Sequence, residues 1–456
     1  MKRLILTFFA ALLPLLAPAG DYTDLYRDLP IDIARPAAPG IPAYTVNLTD
    51  FGGVGDGVTL NTEAFAAALK ALRKAGGGHL VVPPGIFLTG PVELQDRTDL
   101  HLERGALILF SPDKRDFLKK GKIVPGILAK GKKDVSITGE GIIDGNGEWW
   151  RGVKRGKVSD VEWNRFRSMG GTVEGNIWYP FGLKYFPNVA GEALAQEKMR
   201  THLVRFTSCE RVLVQGVTIQ NAPKFHLVPQ FCTDVVIDGV TVRCPWNAQN
   251  GDGIDIMQSR RVLVVRCTVD VGDDGICLKA GGGPKAAENG PVEDVLIRDN
   301  TVFHAHGGFV IGSEFSAGVY RVAVRDNTFS GTDTGLRFKS GAGRGGRCGD
   351  IWISDIRMSD IADEAVVFET TYTDRPVGRE DAPSATAEDF IPEFTGIRIT
   401  RVTCRDARVG VAARGAVGTI HDILLSDCIF FYTEKASEIG DPSMVTLSES
   451  VRFLTF

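Results

Sequence analysis

Cys209-Glu-Arg-Val-Leu-Val-Gln-Gly-Val-Thr-Ile219 is followed, 23 residues later, by Cys232-Thr-Asp-Val-Val-Ile-Asp-Gly-Val-Thr-Val242. The two segments match in pattern, and the pattern recurs. Equivalent segments begin at Ser259, Val292, Val319, Cys348, Phe394 and Ile420, with an earlier copy near Lys132. Apolar residues fall at the fourth, sixth and usually last positions, as in Val212, Val214 and Ile219 or Val295, Ile297 and Val302. Alternation of period two reads as a short strand. From Cys209 onward, successive starts lie 23 to 46 residues apart, which suits coils of a solenoid joined by loops of variable length.

A second register lies between these copies. Gly253-Ile-Asp-Ile, Gly275-Ile-Cys-Leu, Gly308-Phe-Val-Ile, Gly335-Leu-Arg-Phe and Ala365-Val-Val-Phe align with one another. Each coil therefore supplies at least two strands to two different sheets, stacked on their equivalents at ~4.8 Å and paired in parallel. The expected fold is all-β, a right-handed single-stranded parallel β-helix. Asn300 and Asn327 share a column and could form an internal amide ladder. Cys209 and Cys232 also share one, as a disulfide or as an unbonded buried pair. A solenoid needs covered ends. Residues 61–75 read as an amphipathic capping helix, with Asn61 or Thr62 as cap, Phe65, Leu69 and Leu72 on one face, and Gly76-Gly77-Gly78 as the stop.

Three regions stand outside the repeat. Residues 1–19 read as a signal peptide: Lys2 and Arg3, an apolar run from Leu4 to Leu16, then Ala17-Pro18-Ala19. The run is short of the ~20 residues that span a bilayer, so export rather than membrane insertion is expected, to periplasm or medium. Residues 20–45 read as a linker and 46–456 as one catalytic domain. Between Asp144 and Arg200 the repeat is obscured by an excursion containing Trp149, Trp150, Trp163, Trp178, Tyr179 and Tyr185, expected near the cleft or packed on the solenoid wall. The net charge of -4 argues against a general nucleic-acid binder. The eight cysteines fit no zinc spacing.

The registers place chemistry. Asp252 aligns with Asp274, and Gly251 aligns with Asp273, His306 and Asp333, so Asp252, Asp273, Asp274 and His306 gather on one edge over three coils. With Leu336 and Phe338 internal, Arg337 and Lys339 should face solvent, forming a cationic strip with Lys279. Three carboxylates within a few ångströms cannot all ionise freely, so at least one pKa should rise. A raised carboxyl can protonate a leaving oxygen while an ionised neighbour activates water, the division of labour in glycoside hydrolysis. The cations would neutralise a substrate carboxylate. Taken singly, Asp-Gly pairs are turn signals and exposed cations a solvated face; their coincidence in one set of columns favours a site.

Asn250-Gly251-Asp252, Gly272-Asp273-Asp274, Ala305-His306-Gly307 and Arg337-Phe338-Lys339 resemble, in order, the four signature elements of glycoside hydrolase family 28, the polygalacturonase family. Gly251, Ala305 and Phe338 depart from the common threonine, glycine and isoleucine. The resemblance runs from about Val46 to the C-terminus, and the strings around Asp252 and His306 look most like bacterial exo-acting members. It implies a metal-independent, cofactor-free, inverting hydrolase of α-1,4-galacturonosidic bonds in pectic polysaccharide or oligogalacturonides. In it Asp273 is the general acid, Asp252 and Asp274 hold and deprotonate water, and His306 tunes the acid. Arg337 and Lys339 would bind the substrate carboxylate. Asn250, Lys279, Arg344 and Tyr372 are further candidates for substrate contact. Rhamnogalacturonan and xylogalacturonan remain alternative backbones. A calcium-dependent pectate lyase-like helix, or a solenoid that binds glycans without cleaving them, are rival readings.

Overall fold

In the computed structural model, which describes residues 21–180, 199–373 and 390–455, the chain winds as a parallel β-helix. Its main sheet pairs strands in parallel from Thr45–Asn47 to Arg452–Thr455. The registers follow the repeat. Val212 sits opposite Val235, Val235 opposite Val262, and Val262 opposite Val295. The signal-peptide segment and Tyr185 lie outside the described residues.

Each coil has one more face than the two read from the sequence. The eleven-residue repeat is two strands, not one: Glu210–Gln215 and Thr218–Gln220 in the first copy, Thr233–Asp238 and Thr241–Arg243 in the second. Between them stand Gly216, Gly239 and Arg266 in successive coils, all with positive φ. One left-handed residue turns the chain while the apolar side chains on either side keep pointing inward. Alternation therefore runs unbroken through a corner. Inside, one continuous core collects the inward residues of all three faces. The asparagine column forms the expected ladder: Asn327 Oδ1 accepts from Asn300 N and Nδ2 at 2.9 and 3.0 Å, and Asn300 Oδ1 accepts from Cys267 N. Cys209 and Cys232 are an unbonded buried pair, and all eight cysteines are thiols.

Helix α1 (Thr62–Ala75) covers the N-terminal end, burying Phe65, Leu69 and Leu72 and ending at left-handed Gly76. Asn61 occupies the cap position, but its amide instead bonds Val54, Thr59 and Leu88, so it ties the entry loop rather than the helix.

Residues 20–45, expected as a linker, are instead docked from Asp21 onward. Tyr22, Leu25, Tyr26, Leu29, Ile31 and Ile33 pack on an outward apolar patch formed by Leu213, Val236, Leu263, Val265, Leu296 and Ala323. Beyond them, the proline-rich run engages a charged ladder. Asp134, Arg211, Asp234, Arg261, Asp294 and Arg321 follow one another down one column, and each arginine grips an aspartate bidentately. The amides of Ala34, Ala37 and Gly40 donate to Asp294, Asp234 and Asp134 respectively. Three residues of extended polyproline-type chain rise roughly 9.3 Å; two solenoid rungs rise roughly 9.6 Å. The strap thus meets every second rung in step.

Candidate active site

Four strands of one face build the site: β1 (Ile254–Met257), β2 (Ile276–Lys279), β3 (Ala305–Gly312) and β4 (Thr332–Lys339). Ile254 pairs with Ile276, Ile276 with Phe309, and Phe309 with Leu336. This register stacks Asp252 on Asp274, and Asp273 on His306 and Asp333, as the sequence implied. The glycine column behind them is a matter of space. A Cβ on Gly253, Gly275, Gly308 or Gly335 would come within 2.7 Å of Val269, Val302, Phe329 or Met358, core side chains from the adjoining face. Glycine lets the core fill while the preceding turn carries its acid outward.

The predicted acids come together: one carboxylate oxygen each from Asp252, Asp273 and Asp274 lies within 4.8 Å of the others. Asp273 Oδ1 accepts from the Asp274 amide at 3.0 Å and lies 3.1 Å from His306 Nδ1. Lys339 Nζ donates to both oxygens of Asp274, at 3.1 and 2.9 Å. Arg337 approaches the same carboxylate at 3.9 Å.

The cationic residues are not a solvated strip. Lys339 and Lys279 point away from the barrel core, as alternation requires, but are only 6% and 5% exposed. Neighbouring coils and loops wall them in. Lys279 Nζ sits among four carboxylates: Asp252 at 3.3 Å, Asp255 at 3.5 Å, Asp274 at 3.7 Å and Glu314 at 3.9 Å. The Phe225 ring lies 5.4 Å from it. Lys279 is therefore the counter-charge of an acidic cluster rather than a surface substrate contact. Tyr372 sits against the other two cations, its ring centre 5.4 Å from Lys339 Nζ and 5.9 Å from the Arg337 guanidinium. Arg344 bonds Ser313 on the next coil. Asn250, left-handed at φ 50°, already accepts on its amide oxygen from Arg200 at 2.8 Å.

Among the three predicted acids the carboxyl that rises is Asp252, not Asp273. Burial, then the charges of Asp255 and Asp273, push Asp252 well above the usual range. Burial acts on Asp273 too, yet the hydrogen bond from His306, with Lys339 and Lys279, brings it below that range. Against the same burial, Lys339 and Lys279 hold Asp274 down. Of the three acids, Asp252 is the one whose surroundings favour holding a proton.

Two neighbours escaped the sequence reading. Asp255 shares the column of Cys277, and applying to β1 the alternation used on β2 would have found it. Neither of its oxygens, nor Oδ1 of Asp252, receives a protein hydrogen bond. Burial, and secondarily the charges of Asp274 and Glu314, lift Asp255 to about 7 despite Lys279. Between pH ~4 and 7 the folded protein thus keeps a proton that the unfolded chain releases, so stability falls as pH rises through that window. Asp255→Asn should flatten this fall: thermal unfolding midpoints at pH 5 and pH 8 should differ less in the variant than in the native protein. An unchanged difference would show that Asp255 is ionised in the fold.

The second is Lys157, which no repeat predicts. It comes from the aromatic excursion, which folds into a small antiparallel sheet (Val153–Lys154, Thr172–Glu174, Ile177–Tyr179) and helix α2 (Asp160–Ser168). Trp150 and Tyr179 are fully buried. Trp149, Phe166 and Trp178 line a mostly apolar cavity of about 360 Å³ with Pro245 and Ala248, just upstream of Asp252. The excursion therefore stands beside the acids.

Comparison with known proteins agrees with this geometry. The sequence profile of "Glycosyl hydrolases family 28" matches residues 132–408. The chain is 28% identical over 430 residues to an exo-poly-alpha-D-galacturonosidase of Dickeya chrysanthemi, covering 89% of this chain and 69% of that protein. It is 26% identical over 348 residues to a polygalacturonase of Malus domestica, covering 74% and 64%. The chain thus spans about two thirds of the length of these relatives. Among solved structures, a hyperthermoactive exopolygalacturonase from Thermotoga maritima superposes with a TM-score of 0.74 at 29% identity, covering 92% of this chain and 94% of that one.

Proposed function

Since the chain belongs to glycosyl hydrolase family 28, we propose that it is a polygalacturonase that removes galacturonic acid from chain ends of homogalacturonan by direct, inverting hydrolysis. One observation carries the reading: two adjacent coils in register bring Asp252, Asp273 and Asp274 to one point, with Lys339 hydrogen-bonded to the last. Exo action is favoured by the named activities of the Dickeya and Thermotoga proteins.

In this mechanism Asp273 protonates the departing glycosidic oxygen. Asp252 and Asp274 align and deprotonate the attacking water. The Oδ1 of Asp252, buried and without a hydrogen-bond partner among the described residues, supports that role, since it has acceptor capacity to spare. Arg337 and Lys339 take the galacturonate carboxylate against the Tyr372 ring. A second carboxylate arriving there competes with Asp274 for Lys339, weakening the contact that holds Asp274 ionised. Binding therefore shifts the balance of protonation between Asp274 and Asp252. The positive charge a divalent ion would bring to three aspartates is already supplied here by Lys279 and Lys339, which favours metal-independent hydrolysis over calcium-dependent elimination.

The acids are closer than the ~6.5–9.5 Å usual for inverting pairs. The anomer of the first-formed product is therefore the informative measurement. On homogalacturonan, monomer alone, released initially as the β-anomer, is the expected result. A ladder of oligomers would make the enzyme endo-acting, an initial α-anomer would make it retaining, and an unsaturated, ultraviolet-absorbing product requiring calcium would make it a lyase. Export by residues 1–19 completes the proposal. Among the described residues no helix is long and apolar enough to cross a membrane.

A further inference from the structure

Lys157 reaches from the excursion into the site. Its Nζ lies 3.2 Å from His306 Nε2 and 3.4 Å from the Gly272 carbonyl oxygen. The backbone that carries it is well fixed. Lys157 closes a short helical turn (Arg155–Lys157), Val158 beside it is buried, and Ser159 and Glu162 form a reciprocal capping box that starts α2. Arg155 ties the turn to the Asn176 and Val158 carbonyl oxygens.

An ammonium has three donors and no acceptor. A ring nitrogen 3.2 Å from it can join in a hydrogen bond only as the acceptor, so Nε2 must be bare. The single proton of a neutral imidazole then sits on Nδ1, which is 3.1 Å from Asp273 Oδ1. We propose that Lys157 is a positioning residue that sets the tautomer of His306, holding its proton on Nδ1 toward Asp273 and opposing formation of the imidazolium.

The other charges around this pair do not supply the same constraint. Asp333 lies 3.9 Å from Nε2 and Asp273 faces Nδ1; both favour a second proton on the ring. Lys154, Cys244, Asp273 and Asp333 all act on Lys157, and Lys154 opposes its charge. Among the described residues, Lys157 is the one that places a donor against Nε2. The consequence is directional. With Lys157 in place, His306 can only donate to Asp273, keeping that carboxylate ionised until substrate disturbs the network. Without it, Asp333 and Asp273 draw a second proton onto the ring, or the lone proton moves to Nε2 and Nδ1 becomes an acceptor.

The catalytic meaning rests on Asp273 being the acid, but the tautomer does not, and the two can be separated. Nitrogen-15 histidine NMR of the full protein, with His306 assigned by loss of its signal in His306→Asn, reads the tautomer directly. The native protein near neutral pH should show the Nδ1–H form. Lys157→Met should convert it to the Nε2–H form or to imidazolium, and shift the acidic limb of the kcat–pH profile with KM little changed. Lys157→Arg, which still only donates, should restore the native tautomer. An Nε2–H ring in the native protein, or an unaltered tautomer in Lys157→Met, would overturn the proposal; the native spectrum decides even if the methionine variant does not fold. A changed tautomer with an unmoved kcat profile would uphold the role of Lys157 and remove the His306–Asp273 pair from the acid step.

Discussion

Asp273→Asn should lower kcat by about 10³-fold, within the ~10²–10⁴ that a positioned acid or base contributes, while KM changes by less than about threefold. The substitution is close to isosteric. Asparagine keeps one oxygen that can accept from both the Asp274 amide and His306 Nδ1, as Asp273 Oδ1 does, so the turn should survive. What it cannot do is give up a proton. The sharper form of the experiment varies the leaving group. A galacturonide carrying a phenol that departs as a stable phenolate needs no protonation, so Asp273→Asn should recover most of its lost rate on that substrate. Asp252→Asn should not recover, because water activation is still required. The comparison matters because the surroundings raise Asp252 and lower Asp273. Should Asp252→Asn be the variant that recovers, the resting proton is the catalytic one, and Asp252 takes the acid role.

Much of this site was legible in the sequence because a solenoid converts register into position. Once Gly253, Gly275, Gly308 and Gly335 align, every residue at a fixed offset from them shares a column. The acids, His306 and the cations of β4 follow from that without further information. Depth does not follow. Alternation says that Lys279 and Lys339 leave the core side of the strand, but not whether they meet water. Their burial depends on loops whose length the repeat does not constrain, and on which carboxylates the neighbouring coils present. The corners at Gly216, Gly239 and Arg266 were hidden for a related reason: a single left-handed residue redirects the backbone while preserving the apolar pattern. The strap was misread because proline and alanine specify an extended chain without naming its partner. That partner is an aspartate on every second rung, from Asp134 to Asp294, and none is near the strap in sequence. Lys157 belongs to a segment with no periodicity, and only the folded excursion sets it on His306.

Lys279→Met should be the most damaging single change to stability in the site, costing about 3–5 kcal/mol at pH 7, the range for removing one partner of a buried ion pair. Methionine keeps most of the stem's volume, so the loss reports charge, the ammonium's contact with the Phe225 ring included, rather than packing. Lys279 itself is held well above its ordinary range: burial alone would depress it, but the neighbouring acidic groups, Asp252 and Asp255 among them, reverse the sign. A lysine raised in the fold contributes fully below its unfolded pKa of ~10.4, so the native protein keeps this contribution throughout the range in which the enzyme would work. The variant has Asp252, Asp255 and Asp274 buried with only Lys339 and Arg337 in opposition. Their carboxyls should climb further, and the folded variant should hold protons that the unfolded chain releases above pH ~4. Its stability must then fall with rising pH, so the gap to the native protein should be widest at neutral pH and narrow on acidification toward pH 4. Denaturant unfolding at pH 4.5 and 7.5 tests both size and slope. A variant equally stable at both, with raised KM and unchanged kcat, would return Lys279 to a simple substrate contact. A pH-dependent loss means that the lysine is what allows three aspartates to occupy one point in the fold, and so what makes the proton-transfer site possible.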